Sequence, residues 1–228
     1  LKIDNTDPSV AAVNEFKSSN SNSTFAKKGD MITLKFTTDK DVETPVIKLG
    51  GNPTSVVQNG NSKSSWIATR TVDNTDADSN PVIQITLTDL AGNVTTPDPQ
   101  TVTASVTIDK TAPTISSVVS FSSNNTCDSK LAKLNDTITL IFTTNEAVQP
   151  PVVKFGGKAT NTVLSNSETN EYTATRVVNA SDNEGIQVIA ITVTDLAGNE
   201  TIIDDQAVPN SVTIDKTVPT ISSINFNS

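Results

Sequence analysis

The chain has 228 residues, of which 35% are hydrophobic and 4% aromatic, and its formal net charge is −9. Nucleic acids and anionic membranes both require a basic surface, so this charge argues against both as partners. With no histidine and a single cysteine, Cys127, the chain offers no Ser-His-Asp or Cys-His catalytic group, no Cys/His zinc site and no intrachain disulfide. No apolar run reaches the length of a membrane span, so no membrane insertion is predicted.

A long internal repeat organises the chain. The motif Ile-Asp-x-Thr-x-Pro begins at Ile3, Ile108 and Ile214. Residues 30–38 return as 136–144, and residues 88–93 return as 194–199, both at an offset of 106 (136 − 30 and 194 − 88). A period near one hundred residues exceeds that of solenoid repeats and suits a self-sufficient domain. We therefore predict domains at residues 1–109 and 110–215, with the start of a third repeat at 216–228.

Apolar residues alternate with polar ones inside each repeat. Ile32, Leu34 and Phe36 share one phase, with Thr33 and Lys35 on the other. This period of two predicts half-buried β-strands, and no stretch has a helical period. In the second repeat the predicted strands A to G are residues 114–121, 136–144, 151–155, 159–164, 171–178, 186–194 and 208–215. About seven short strands in about one hundred residues predict an all-β fold, two tandem immunoglobulin-like β-sandwich domains.

The same alternation predicts which side chains are buried. The predicted core of the second domain is Ile115, Ile138, Leu140, Phe142, Tyr172, Ile189, Ile191 and Val212. Trp66 and Tyr172 occupy one repeat position, which indicates core residues and not ligand-binding aromatics. We expect Arg70 and Arg176 to form an ion pair at the sheet rim or to lay their stems over the core. Lys110 and Lys216 are predicted to be solvated.

Two motifs recur at fixed spacing: Ile-Asp-x-Thr-x-Pro at each junction and Thr-Asp-Leu-Ala-Gly-Asn before the last strand. This pair resembles the bacterial immunoglobulin-like repeats of large surface adhesins and biofilm proteins, and the resemblance covers most of the chain. It implies an extracellular, cell-surface stalk, often rigidified by Ca²⁺ between domains, that displays a binding module located elsewhere. We expect neighbouring domains of the same longer chain to be its partners. Long loops such as residues 74–80 depart from the family pattern.

Carboxylates are predicted to converge on the domain junction and to bind calcium. The E–F loop and the end of strand G share one pole of a sandwich, and the next domain turns its B–C and F–G loops towards that pole. Oxygen ligands without His or Cys select a hard ion, and a flexible shell of about six to eight ligands suits Ca²⁺. The candidate ligands are Asp73, Asp76, Asp78, Asp109, Glu146 and Asp195 at the junction, and Asp4, Asp39 and Asp89 at the front of the first domain. The alternative is that these acids are solvated loop residues and turn caps.

Three functions are compatible with these features. A structural spacer of an extracellular repetitive surface or filament protein is favoured, because aromatic side chains are nearly absent from the loops. The alternatives are a module that binds a glycan or a protein, and accessory domains of a secreted hydrolase; the domains themselves are predicted not to be an enzyme. Like chains in a fibre or a cell-surface ligand are further candidate partners. Asn-x-Ser/Thr sequons make Asn22, Asn93, Asn124, Asn135, Asn179 and Asn199 candidate glycosylation sites.

Overall fold

A computed structural model describes residues 3–95, 98–99, 105–206 and 211–224. The chain divides into two compact units: the first runs to Thr111 and includes Leu196–Asn199, and the second holds Ala112–Asp195 and continues from Glu200. The regular elements of the described residues are β-strands. None of these residues belongs to a helix long and apolar enough to cross a membrane.

The first unit is built from two four-stranded sheets. Its strands are β1 (Val10–Ser18), β2 (Phe25–Ala26), β3 (Met31–Thr38), β4 (Val46–Leu49), β5 (Asn52–Pro53), β6 (Ser55–Gln58), β7 (Ser65–Thr71), β8 (Ile83–Thr86), β9 (Asp98–Pro99) and β10 (Thr107–Ile108). One sheet has the order β1-β3-β7-β6 and the other β5-β4-β8-β9, while β10 pairs with β2. The first order is the A-B-E-D sheet of an immunoglobulin-like sandwich and the second is its C-F-G sheet.

The second unit repeats this arrangement. Its strands are β11 (Ile115–Ser123), β12 (Leu131–Ala132), β13 (Thr137–Thr144), β14 (Val152–Phe155), β15 (Lys158–Ala159), β16 (Asn161–Asn166), β17 (Glu171–Val177), β18 (Gly185–Ile186), β19 (Ile189–Thr194), β20 (Glu200–Gln206) and β21 (Thr213–Ile214). The sheets have the orders β11-β13-β17-β16 and β15-β14-β19-β20, and the short β12, β21 and β18 form a third. The two tandem immunoglobulin-like sandwiches predicted from the alternation are confirmed.

The strand that pairs with β19 at its far edge, β20, starts earlier than the predicted strand G. Thr194 of β19 pairs directly with Glu200 of β20, so the chain turns back at once after the Asp-Leu-Ala-Gly-Asn segment. The predicted strand at 208–215 coincides only with β21, and part of it lies outside the described residues. The sequence of β20 has two consecutive isoleucines, Ile202 and Ile203, and lacks the strict alternation by which the other strands were found.

Each unit has its own hydrophobic core. The alternation of β13 is complete: Ile138, Leu140 and Phe142 are buried, and Thr139 and Ile141 between them are only partly buried. Of the predicted core residues of the second unit, Ile115 is partly buried against the core and the other seven are buried. Trp66 and Tyr172 are 2% and 4% exposed, which confirms their assignment to the core.

Residues 216–228, the predicted start of a third repeat, contain no strand as far as Ile224, where the description ends. In both units the corresponding strand, β1 or β11, pairs with a strand that follows it in the chain. The prediction of a third repeat therefore stays a prediction.

Candidate functional site

The turn before the last strand is organised around one buried aspartate. In the first unit Asp89 is 2% exposed. Its Oδ1 accepts hydrogen bonds from the N–H groups of Ala91 (2.8 Å) and Asn93 (2.9 Å). Gly92 has φ = 90°, which other residues adopt only with strain. The predicted turn cap is therefore present in the first unit, whether or not the aspartate also binds an ion.

The hydrogen bonds also control the ionisation of this aspartate. The side-chain amide of Asn93 donates to Asp89 Oδ2 at 2.9 Å. This hydrogen bond, together with those from the backbone N–H groups and Lys40, lowers the pKa of Asp89 to about 2. Asp89 is therefore charged at neutral pH.

The junction motif forms a local turn in each of its three copies. The N–H of the threonine donates to Oδ1 of the aspartate two residues earlier: Thr6 to Asp4 at 3.1 Å, Thr111 to Asp109 at 3.1 Å and Thr217 to Asp215 at 2.9 Å. This Asx turn is set by the sequence alone, because donor and acceptor are two residues apart.

The asparagine that ends the turn segment holds the junction motif. Asn93 Nδ2 donates to the carbonyl oxygen of Asp4 at 3.0 Å. Asn199, which groups with the first unit, donates to the carbonyl oxygen of Asp109 at 2.9 Å. The two motifs thus recur together because one is hydrogen-bonded to the other.

A threonine two residues further along adds a second hydrogen bond. Thr95 Oγ1 donates to the carbonyl oxygen of Pro8, and Thr201 Oγ1 to that of Pro113, the latter at 2.6 Å. Each proline carbonyl is therefore held by the last hairpin of its own unit.

The acids predicted at the front of the first unit separate into two roles. Asp4 and Asp89 both contact the ammonium of Lys40, with Nζ–O distances of 3.2 and 3.4 Å. The N–H of Thr6 and then Lys40 lower the pKa of Asp4. Asp39 instead accepts a hydrogen bond from the N–H of Ser9 at 2.8 Å. This hydrogen bond lowers the pKa of Asp39 and holds the residue just before β1.

The E–F loop acids of the first unit contact cationic side chains. Asp76 is 4% exposed and accepts from Arg70 Nε at 2.8 Å and Arg70 Nη2 at 3.0 Å. Burial alone would raise the pKa of Asp76, but the hydrogen bonds from Arg70 and the N–H of Asp73 hold it below its usual value. Asp73 Oδ2 lies 3.2 Å from Arg70, and Asp78 Oδ1 lies 3.6 Å from Lys110. Among the described residues these three aspartates form no group with all ligand oxygens within 4.8 Å of one another.

Two further expectations are settled at this loop. The rim ion pair is confirmed in both units, since Arg176 Nη2 lies 2.5 Å from Asp182 Oδ1. The prediction that the junction lysines are solvated is wrong. Lys110 Nζ donates to the carbonyl oxygen of Asp76, and Lys216 Nζ to that of Asp182 at 2.5 Å. The carbonyl oxygens of the E–F loop accept hydrogen bonds from these ammonium groups. The sequence did not predict these contacts, because donor and acceptor are 34 residues apart.

The second unit brings two of the predicted ligands together. Glu146 and Asp195 occupy the repeat positions of Lys40 and Asp89, and their carboxylates approach to within 4.8 Å. Asp195 is fully buried, and its carbonyl oxygen accepts from Gln149 Nε2 at 2.9 Å. Asp109, the equivalent of Asp4, belongs to the first unit, where its N–H donates to the carbonyl oxygen of Ala26 at 2.9 Å. Two carboxylates from one unit offer hard oxygen ligands of the kind that Ca²⁺ prefers.

The sequons differ in the availability of their amides. Asn93 and Asn199 use Nδ2 to hold the junction motif, so a glycan there would replace a structural hydrogen bond. The other four side chains are exposed: Asn22, Asn124, Asn135 and Asn179. Glycosylation at these positions stays a prediction.

No protein-family model and no curated protein matches the chain. Among solved structures, the I-band fragment I67–I69 of titin is similar at 7% identity and a TM-score of 0.49, covering 92% of this chain and 66% of that one. The D00–D0 domain of intimin has 13% identity and a TM-score of 0.36, covering 87% of this chain and all of its own. The ectodomain Ig1–Ig3 of mouse nectin-like molecule 4 has 12% identity and a TM-score of 0.30, covering 95% of this chain and 66% of that one.

The chain is a tandem of immunoglobulin-like domains. The strand orders of the two units define this fold, and the similarities above carry no argument about function. The chain spans just under two thirds of the titin fragment and of the nectin-like ectodomain.

Proposed function

We propose that the chain is a non-catalytic spacer segment of an extracellular, repetitive surface or filament protein, with a role like that of an adhesin stalk. The observation that supports it best is the anchoring of the junction motif. On the side of the first unit, Lys110 donates to the carbonyl oxygen of Asp76. On the side of the second, the carbonyl oxygen of Pro113 accepts from Thr201, and the N–H of Thr114 donates to Asn145 Oδ1 at 2.6 Å.

Such anchoring leaves little free chain between the units. Proline fixes its own φ and restricts the preceding residue, which stiffens the segment further. A spacer must transmit position and force from one domain to the next, and an anchored junction motif suits that role. The neighbouring domains of the same longer chain are then its main partners. Lateral contact with like chains and binding of a surface ligand remain secondary proposals.

We further propose that Ca²⁺ strengthens the junction at Asp109, Glu146 and Asp195. The support comes from comparing the two repeats. In the first unit the equivalent residues are Asp4, Lys40 and Asp89, and there an ammonium lies between two carboxylates. The second repeat has a glutamate in place of that lysine. Carboxylates at these positions would supply oxygen ligands only, and such ligands favour Ca²⁺ over transition metals.

Calorimetric titration and small-angle scattering test both proposals on the intact chain. We expect about one Ca²⁺ per chain, a higher melting temperature with Ca²⁺ than with chelator, and scattering from an elongated particle. Glu146→Gln should weaken Ca²⁺ binding by about tenfold or more. Glu168→Gln, an exposed acid of the same unit, is the matched control and should change nothing. A compact particle would overturn the spacer, and Ca²⁺ that neither binds nor raises the melting temperature would overturn the metal site.

A further inference from the structure

Strand β16 leaves one side of its sheet open. It is the last strand in the order β11-β13-β17-β16, so within the described residues a strand of its sheet lies on one side of it only. On the other side, the N–H and C=O groups of alternate residues point outward, as in any edge strand. We propose that β16 is a self-association surface, on which the β16 of a second copy of this chain pairs antiparallel. The proposal rests on the spacer function above, whose lateral contact with like chains it assigns to a surface.

The composition of β16 sets it apart from the other edge strands of the large sheets in the second unit. Its six residues, Asn161–Asn166, include no charged residue and no proline, the residues that commonly protect an exposed edge. In contrast, β15 begins with Lys158 and β20 with Glu200. Strand β11 also lacks charge, but two register shifts interrupt its pairing with β13, and such bulges protect an edge. The register of β16 is regular from Asn161 to Leu164.

The side chains of β16 offer apolar surface on both faces of the sheet. Val163 and Leu164 are each 51% exposed. Successive residues of a strand point to opposite faces, so these two side chains lie on different sides. On one side, Leu164 and Thr162 border a mostly apolar depression together with Tyr172 and Pro151. A second strand beside β16 would cover part of the exposed surface on each face.

The pattern of β16 is self-complementary, which is why we infer a second copy as its partner. A two-fold axis at Val163 places this residue opposite its own copy, and Thr162 opposite Leu164 of the second copy. Opposed residues then point to the same side of the joined sheet, as antiparallel pairing requires. The central pairs are valine with valine and threonine with leucine, which are favourable cross-strand neighbours without charge. Such a contact uses one patch twice and closes at two copies.

The net charge predicts how this contact responds to salt. Each copy carries a formal charge of −9, so two copies repel each other. The strand pair itself contains no charge, and salt should therefore strengthen the dimer by screening the repulsion. A contact held by ion pairs would instead weaken. One strand pair buries less area than a stable dimer requires, so the dimer should form only at high protein concentration.

Analytical ultracentrifugation of the intact chain tests the inference. Between about 5 and 500 μM, a range suited to weak association, the chain should shift from monomer to dimer. The dimer fraction should be larger at about 0.5 M than at about 0.05 M salt. Val163→Lys and Val163→Glu each place like charges opposite each other and should weaken the dimer by about tenfold or more. An equimolar mixture of the two variants should associate better than either alone, because opposite charges then face each other.

The first unit supplies a matched control. Val57 of β6 occupies the repeat position of Val163 and is 55% exposed. Strand β6 has only four residues, with Gln58 at the position of Leu164. Val57→Lys should therefore dimerise as the unaltered chain does.

The outcomes separate this inference from the spacer function. A chain that stays monomeric over this range overturns the inference, and scattering from an elongated monomer would leave the spacer standing. A compact particle overturns the spacer whether or not copies pair. A dimer that Val163→Lys leaves unchanged uses another surface and overturns the inference, as does a mixture that associates no better than its components. If either variant does not fold, hydrogen exchange of the unaltered chain decides: N–H groups of β16 must exchange more slowly at the higher concentration, and unchanged rates overturn the inference.

Discussion

The ionised carboxylate of Asp89 holds the turn at residues 89–93 by hydrogen bonds. Its two oxygens accept from two backbone N–H groups, from the amide of Asn93 and from Lys40. Such donors favour the ionised carboxylate over the protonated one, which is why the pKa of Asp89 falls to about 2. The residue therefore couples the stability of the first unit to pH.

Replacement of Asp89 by asparagine should show this coupling. A carboxylate whose pKa is lower in the folded than in the unfolded state stabilises the folded state. Its contribution to the free energy of unfolding is complete above the unfolded-state pKa of about 3.9 and is lost as the pH falls towards the folded-state pKa. The variant should therefore unfold more easily at pH 7, and its difference from the unaltered chain should shrink between about pH 4 and the folded pKa of about 2. Urea unfolding followed by Trp66 fluorescence measures this, with the exposed Asp41→Asn as control. A difference that does not change with pH would contradict the prediction.

The ion pair between Arg70 and Asp76 should contribute more than a surface pair. The side chains of Arg70 and Asp76 are 11% and 2% exposed. Arg70 Nε donates to Asp76 Oδ1 and Arg70 Nη2 to Asp76 Oδ2. Arg70→Ala leaves a buried carboxylate without its cation and should cost about 3 kcal/mol or more in unfolding free energy. Arg70→Lys should cost less but not nothing, because lysine cannot bind both oxygens in the same fork geometry. A cost for Arg70→Ala below about 0.5 kcal/mol, typical of exposed pairs, would show that the pair is solvated.

Alternation along a central strand is the element-scale property that determines both cores. Phe142 of β13 lies opposite Tyr172 of β17, with ring centroids 5.6 Å apart. Phe142→Ala should cost about 3–5 kcal/mol, because it removes a fully buried ring. Thr139→Ala, on the opposite face of β13, should cost under about 1 kcal/mol. Chemical denaturation compares the two; the reverse ranking would mean that the strand register is displaced by one residue.

The sequence predicted the elements whose signal is local. Strands A to F appear within a few residues of their predicted positions, because their alternation is strict, and the turn aspartates cap their own loops. The start of β20 was missed because Ile202 and Ile203 break the alternation. The tight turn at residues 195–199 sets the start of β20 instead, and the alternation of apolar residues does not indicate that start.

The candidate site was predicted less completely than the fold. The acids were identified by residue type, and the expectation that some of them are turn caps proved correct for Asp89. The cations were missed, because Lys40 and Lys110 are distant in sequence from the oxygens they contact. Aligning the two repeats places Lys40 at the position of Glu146, but only the three-dimensional structure shows that Lys40 lies between two aspartates.

At the scale of the whole molecule, the described residues form two hydrophobic cores, one in each unit, and these two sets of residues do not overlap. We therefore expect core variants to act within their own unit. Phe36→Ala should lower the melting temperature of the first unit alone, and Phe142→Ala that of the second alone. Scanning calorimetry should resolve two transitions in each variant, and the double variant should show the sum of both changes. A single transition that shifts as a whole in both single variants would show that the units unfold as one.

The equivalence of Trp66 and Tyr172 has a spectroscopic consequence. The chain has a single tryptophan and a single tyrosine, and each is buried in a different core. Excitation at the red edge of the absorption band excites only the indole of Trp66 and therefore reports on the first unit. The phenol of Tyr172 emits at a shorter wavelength and reports on the second unit. The protein thus carries two distinguishable chromophores, one per domain, without any added label. When the native chain is stretched, or refolds on dilution of a denaturant, each domain can be followed at its own emission wavelength.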